Sequence, residues 1–279
     1  MNMPTVTPTV TLRSGVQMPH LGLGTWPLQG EDGVQAVLSA LTAGYRLIDT
    51  AENYGNEDAV GAAVRKSGLP REEVFITTKF NKRWHSQDGV RQALTNSLGR
   101  LGVEYVDLFL IHWPNPQQGT FADAFAGMLE LQQEGLIRAA GVSNFKPAHL
   151  QVLLDQGMTP EVNQIQLDPQ RPRWDTVEFM RRHDIVTECW SPLGAGGGDL
   201  LRLPTIVETA GVHGRSPAQV VLRWEVQHGY VTIPKSANPG RQVENLNVFD
   251  FQLSQDEMAT LDGLADPALP ISDSDVFGH

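Results

Sequence analysis

Hydrophobic positions along the chain switch repeatedly between two periods. Short apolar runs of strand type occur at residues 22–25, 45–49, 74–79, 106–112, 139–143, 162–166, 185–188 and 231–234. Between or after them lie stretches with apolar residues three and four apart, at 33–43, 57–67, 88–101, 121–134, 147–156, 175–182, 217–227 and 254–264. The first pattern suits buried strands and the second amphipathic helices. Gly44, Gly68, Gly102 and Gly135 directly follow four of the helical stretches, where a left-handed residue closes a helix. Ahead of the series, apolar residues at 10–12 and 16–18 flank Arg13-Ser14-Gly15 and predict a short hairpin.

Strands alternating with helices imply a parallel sheet covered by helices. Eight such units in about 250 residues match a closed (β/α)8 barrel better than an open doubly wound sheet. The hairpin is expected to close the bottom of that barrel. Residues 1–8 read as a loose tail and 9–279 as one domain, since no linker-like shift of composition intervenes. The dinucleotide fingerprint GxGxxG is absent. Its nearest approach, Gly194-Ala195-Gly196-Gly197-Gly198-Asp199, lacks the last glycine and comes late in the chain, so it reads as a loop over the barrel mouth.

Composition narrows the partners. With 41% hydrophobic and 19% charged residues, the chain can fill a core. A net charge of -11 argues against nucleic acid or an anionic membrane surface. No apolar run approaches the roughly 20 residues of a membrane helix, and no signal-peptide pattern opens the chain. The cytoplasm is therefore the expected compartment, and a monomer the expected state. The single cysteine, Cys189, excludes an internal disulfide framework and reads as a small buried strand residue. The eight histidines show no HxH or HExxH spacing, so no metal is expected.

Chemistry gathers where three strands end. Asp49 and, five residues on, Tyr54 follow one run; Lys79 closes the next; His112 closes the one after. Carboxyl ends of barrel strands open onto a common mouth, where active sites are built. A lysine facing a barrel interior is costly unless paired, and Asp49 is its nearest candidate partner. A free phenol, with a pKa of about 10, is a poor acid at neutral pH. A nearby ammonium should lower that value, so Lys79 is expected to tune Tyr54. His112 alone reads as a hydrogen-bonded core residue; beside a tuned phenol it can orient a carbonyl or share a proton relay. Trp26, Trp84, Trp113 and Trp190 follow strand ends or lie in mouth-side loops, whereas Trp224 reads as core and Trp174 as surface packing.

Five segments, in order, carry a resemblance: Gly22-Leu-Gly-Thr-Trp26, Arg46-Leu-Ile-Asp-Thr-Ala-Glu-Asn-Tyr-Gly-Asn-Glu57, Asp107-Leu-Phe-Leu-Ile-His-Trp-Pro114, Gly141-Val-Ser-Asn-Phe145 and Ile233-Pro-Lys-Ser236. They resemble the aldo-keto reductase superfamily of NAD(P)H-dependent barrel reductases, from about residue 10 to 264. Short loops place the likeness nearest the prokaryotic diketogluconate and methylglyoxal reductases. The resemblance implies NADPH-dependent reduction of small aldehydes or ketones to alcohols. Tyr54 would be the general acid, Lys79 and Asp49 its tuning pair, and His112 the group orienting the carbonyl. Thr25, Trp26 and Asp49 would lie against the cofactor, Trp190 would stack on nicotinamide, and Ser143, Asn144 and Gln164 would hold its carboxamide. Taken alone, Ser143 and Asn144 read instead as caps of the helix at 147.

The same resemblance lays the pyrophosphate along Ser191, Pro192, Leu193 and Gly194. Lys235, Ser236 and Arg241 would surround a 2′-phosphate, and Glu244 and Asn245 would read the adenine, which favours NADPH over NADH. Pro239-Gly240 suggests a short helix whose amino end favours that phosphate. The substrate pocket would be formed by Trp26, Tyr54, Trp84, His112 and Trp113. One departure concerns Asn81, where relatives often carry an aromatic; Trp84 is expected to replace it. Two rival classes remain on the residues alone: a module that only holds a nucleotide, and a metal-assisted hydrolase.

Overall fold

The computed structural model describes residues 7–194 and 199–279. The tip of the expected mouth loop, residues 195–198, and most of the expected tail, residues 1–6, lie outside the described residues. Strands β1 (Thr9–Thr11) and β2 (Gln17–Pro19) pair antiparallel, with Val10 opposite Met18. A second sheet holds β3 (Leu23–Gly24), β4 (Leu47–Asp49), β5 (Phe75–Phe80) and β6 (Val106–Ile111). It continues through β7 (Ile137–Ser143), β8 (Val162–Gln166), β9 (Val186–Trp190) and β10 (Val231–Thr232). These eight strands are parallel and lie in chain order.

The sheet closes on itself. The Gly22 N–H donates to the Thr232 carbonyl at 2.9 Å, and the Thr232 N–H to the His20 carbonyl at 2.9 Å. Gly24 stands at this seam, where an added Cβ would lie 2.7 Å from the Ile233 carbonyl oxygen. Any larger residue would push the two ends apart. The molecule is thus the (β/α)8 barrel implied by the alternation, and the β1–β2 hairpin plugs its lower end with Leu12 and Met18.

Inside the barrel, side chains obey the two-residue period of strands. Leu47, Phe75, Leu108, Leu110, Ala139, Val162 and Val231 form the lower apolar filling with the hairpin. Ile48, Ile76, Phe109, Ala140, Ile165 and Cys189 belong to a separate cluster shared with the helices. Two-residue steps along the inner face then lead to polar groups: Leu47 to Asp49, Phe75 through Thr77 to Lys79, Leu110 to His112. The same step leads from Ala139 through Gly141 to Ser143, from Val162 to Gln164, and from Val186 through Glu188 to Trp190. The upper end of the barrel is therefore polar by register alone.

The outer ring consists of α1 (Gly30–Ala43), α2 (Glu57–Ser67), α3 (Gln87–Leu101), α4 (Phe121–Gln133) and α5 (Pro147–Asp155). It is completed by α6 (Trp174–Arg182), α7 (Pro204–His213), α8 (Pro217–Gln227), α9 (Pro239–Leu246) and α10 (Gln255–Asp262). Gly44, Gly68 and Gly102 close α1, α2 and α3 in the left-handed conformation. Helix α7 has no counterpart in the periodicity. Its Thr205, Ile206, Val207, Thr209 and Val212 are β-branched and Gly211 is a poor helix former, so local preference opposes the helix. Packing of Ile206, Thr209 and Ala210 against the core, spaced three and four apart, decides it. Among the described residues no helix is long and apolar enough to cross a membrane.

Candidate active site

The Lys79 ammonium is the centre of the upper layer. Its Nζ donates to Asp49 Oδ1 at 2.7 Å, to the Thr50 carbonyl at 2.9 Å and to the Tyr54 hydroxyl at 3.4 Å. An ammonium has three hydrogens, and each has an acceptor here. Lys79 is fully buried, so without these partners its charge could not be held there. Tyr54 comes from a tight 3-10 turn, Glu52–Tyr54, that follows β4. The His112 ring meets the Tyr54 ring edge-on, with centroids 5.8 Å apart.

Electrostatics in this cluster depart from the simple expectation for Tyr54. Burial pushes its phenol above the ordinary value of 10.0; Lys79 pulls it down, while Asp49 and Glu188 add to the rise. The ammonium acts in the expected direction but is outweighed. Burial lowers Lys79, and the charge and hydrogen bond of Asp49 lead the groups that more than restore it, so the amine stays protonated. Burial also raises the Asp49 carboxyl, against the pull of Lys79 and of the Gln164 amide. Desolvation and the positive charge of Lys79 hold His112 well below 6.5, which keeps its imidazole neutral. Its Nδ1 is buried without a partner among the described residues, leaving Nε2 as the nitrogen able to meet a ligand.

Gln164 links the cluster to a further acid. Its Nε2 donates to Asp49 Oδ2 at 2.8 Å and to Glu188 Oε2 at 2.9 Å. Both amide hydrogens are thereby used, and Gln164 is left with its carbonyl oxygen as its free acceptor on the cavity side. Glu188 is fully buried; desolvation first and the Asp49 charge second raise it to about 8, so it is a neutral acid at pH 7. Sequence reasoning passed over Glu188, although its inward register on β9, two residues before Trp190, was the available signal. Asn144 caps no helix: the cap position of α5 is Lys146. Instead Asn144 Nδ2 donates to the His112 carbonyl at 3.0 Å and Oδ1 accepts from Trp190 Nε1 at 2.9 Å. Ser143 Oγ donates to the main-chain carbonyl of Gln164 at 2.9 Å, which leaves the Gln164 side-chain Oε1 free.

Above these groups opens a cavity of about 480 Å³. Thr25, Trp26, Asp49, Tyr54, His112, Trp113, Ser143, Asn144, Gln164, Trp190, Ser191, Pro192 and Lys235 all line it. Leu193 and Gly194 continue the chain as a turn, closed by the Gly194 N–H on the Ser191 carbonyl at 3.1 Å, and do not line the cavity. Trp84 departs from its expected place in the pocket. Its indole N–H donates to both oxygens of Glu52 at 3.0 Å, so it braces the turn that carries Tyr54. The ring that does enter is His279, whose imidazole meets that of His112 at 4.8 Å. Asn56 braces the other side, donating to the Thr25 carbonyl at 3.2 Å and the Leu28 carbonyl at 2.7 Å.

Along the groove from Lys235, Ser236 Oγ accepts from the Asn238 N–H at 3.1 Å, and Asn238 caps α9 through the Arg241 N–H at 3.0 Å. The side chains of Lys235 and Arg241 are exposed, and among the described residues neither is paired with a carboxylate. Glu244 and Asn245 are engaged by the protein: Ser216 Oγ donates to the Glu244 carboxylate, and Asn245 is buried beside the Tyr45 hydroxyl.

Comparison with known proteins identifies the family. Residues 20–266 match the family model described as the Aldo/keto reductase family. A 2,5-diketo-D-gluconic acid reductase B from Corynebacterium sp. is 45% identical, covering 94% of each chain. An aldo/keto reductase structure from Brucella melitensis shares 42% identity and a TM-score of 0.89, covering 93% of this chain and all of that one. A Bombyx mori aldo-keto reductase, solved in complex with NADP, shares 32% identity and a TM-score of 0.87 over 94% of each chain. Both the fold with its inward polar layer and these matches lead to one statement: this chain belongs to the aldo/keto reductase family.

Proposed function

We propose that this protein reduces an aldehyde or ketone to the alcohol with NADPH, Tyr54 giving the proton. The observation that carries the reading is one buried ammonium shared between Asp49 at 2.7 Å and the Tyr54 hydroxyl at 3.4 Å, beneath a cavity that His112 also lines. NADPH, when bound, supplies the hydride that the carbonyl carbon takes up. The residues fit such a group. Gln164 offers a carbonyl oxygen as acceptor, Trp190 a ring beside the cavity, and Lys235 and Arg241 two cations without carboxylates among the described residues. On a chain of net charge -11, that pair suits a 2′-phosphate and favours NADPH over NADH.

The raised phenol does not oppose this role. A carbonyl that accepts hydride becomes an alkoxide, which is far more basic than a phenolate, so Tyr54 gives its proton downhill. The raised value also keeps the hydroxyl loaded across the neutral range. Lys79 then stabilises the phenolate, and Asp49 with the Thr50 carbonyl fixes the ammonium in advance. Neutral His112 orients the carbonyl oxygen from the side of Nε2. The similarity to a 2,5-diketo-D-gluconic acid reductase makes oxidised sugar acids the first compounds to assay.

Two measurements test the reading. NADPH consumption with a panel of carbonyl compounds should be abolished about 10²–10⁴-fold in Tyr54→Phe, while NADPH binding, followed by tryptophan fluorescence, persists. Wild-type turnover in that variant would remove Tyr54 as the acid. Replacing Lys235 and Arg241 together by alanine should weaken NADPH at least about tenfold and leave NADH nearly unchanged. Equal losses for both cofactors would remove the 2′-phosphate assignment.

A further inference from the structure

Glu188 is the one acid of the inner layer that proton transfer to substrate does not use. Its Oε2 accepts from Gln164, the same amide that holds Asp49, and its Oε1 is buried with no partner among the described residues. On β9 it shares the inner face with Trp190, one step deeper in the barrel. The titratable groups that face it are Asp49 at the end of β4, Tyr54 from the turn after β4, and Lys79 from β5. Cys189, next along the strand, belongs to the outer cluster with the helices, where Glu225 and Asp168 lie near it.

Asp49 and Lys79 form an ion pair at 2.7 Å that cancels, and with Tyr54 and Glu188 holding their protons the set sums to zero. A reduced nicotinamide leaves that sum unchanged. An oxidised nicotinamide held at Gln164 would bring a positive charge to a desolvated place, and the Gln164 side chain is the group hydrogen-bonded to Glu188. Neutrality returns if Glu188 loses its proton to the solvent; nothing is oxidised in that step, and one proton is released per cofactor bound. We propose that Glu188 couples proton release to the binding of oxidised nicotinamide, so that rising pH tightens the oxidised cofactor and not the reduced one. Geometry supports Glu188 over other groups: it is buried, bridged to Asp49 through Gln164, and among the described residues it is in no ion pair. Its titration near 8 places the effect in the range where an enzyme works. The inference rests on the NADPH reading above.

The experiment is a pair of binding titrations, NADP+ and NADPH, on the whole protein by fluorescence and calorimetry. Both cofactors carry the same 2′-phosphate, so its own titration cancels in the ratio of their dissociation constants. Between about pH 6.5 and 8.5, that ratio should shift about three- to tenfold in favour of NADP+. The shift should vanish in Glu188→Gln and survive in Tyr54→Phe. A flat ratio in the wild type, a shift kept in Glu188→Gln, or one lost in Tyr54→Phe would each overturn the proposal. Calorimetry of the wild type in two buffers of different ionisation enthalpy gives an answer that needs no variant: protons released with NADP+ but not NADPH support it, and equal release overturns it. Failure of NADPH to bind at all would instead remove the reductase reading.

Discussion

Lys79 shows how a single side chain can be both a liability and the centre of a site. A fully buried ammonium is tolerated because three oxygens surround it, two of them at 2.9 Å or less. Removing one member of a buried ion pair strands the other, at a typical cost of about 3–5 kcal/mol. Lys79→Met should therefore lower the unfolding free energy by roughly that amount in urea titrations. Combining it with Asp49→Asn should recover much of the loss, since no unpaired charge then remains. A single variant as stable as wild type would mean that Asp49 simply takes up a proton. Residue types and strand-end positions made Asp49, Tyr54, Lys79 and His112 legible in sequence. The direction of the Tyr54 shift was not, because desolvation depends on how deeply the barrel and tail bury the phenol. Trp84 was misplaced for a related reason: a side chain in a loop can point either way, and Glu52 draws its indole N–H away from the mouth.

At the scale of elements, the strands are governed by register. Every second residue of β4 to β9 faces inward, so the apolar filling below and the polar layer above come from one period-two pattern. Helices are less uniform. Helix α8 carries Glu225 into the core with no cation paired to it among the described residues, and burial raises it well above 4.5 against the downward pull of the Thr232 hydroxyl. In the unfolded chain this acid ionises near its ordinary value, whereas the folded state keeps the proton. The unfolded state then binds fewer protons, and stability falls as pH rises through that window. Glu225→Gln should remove this term. Its stability advantage over the wild type should grow as pH rises above the ordinary carboxylate range, by no more than about 1.4 kcal/mol per pH unit. Chemical denaturation at several pH values measures it; a constant difference would show that Glu225 is ionised in the fold.

The whole molecule adds a constraint that no local pattern contains. The C-terminal segment crosses the barrel mouth. Lys146 holds Asp273 and Asp275 at 2.6 Å each, His149 Nε2 meets Asp275 at 2.9 Å, and the Lys82 N–H donates to the His279 carbonyl at 3.1 Å. Phe277 packs edge-on against Trp113 at 4.7 Å, beside the cavity. The Lys146 pairs are partly exposed, so each contributes at most about 1 kcal/mol and weakens with salt. Lys146→Ala should raise KM for carbonyl substrates about two- to fivefold with little change in kcat or in NADPH affinity. High salt should reproduce part of that rise in the wild type. An unchanged KM would separate the tail from the pocket.

By itself the sequence determined the alternation of strand and helix, the closing hairpin, and which residue types end each strand. Those features are local, written in periods of two and 3.6 and in the glycines that stop helices. Tertiary structure alone decided the rest. Closure of β3 onto β10 brings Asp49, Gln164 and Glu188 from distant parts of the chain within hydrogen-bond reach of one another. Packing imposes α7 on a sequence that prefers otherwise, and the tail delivers His279 to His112. The physical reason is common to all three. Desolvation, ion pairing and packing depend on which groups share a space, and that is a property of the closed barrel rather than of any segment in it.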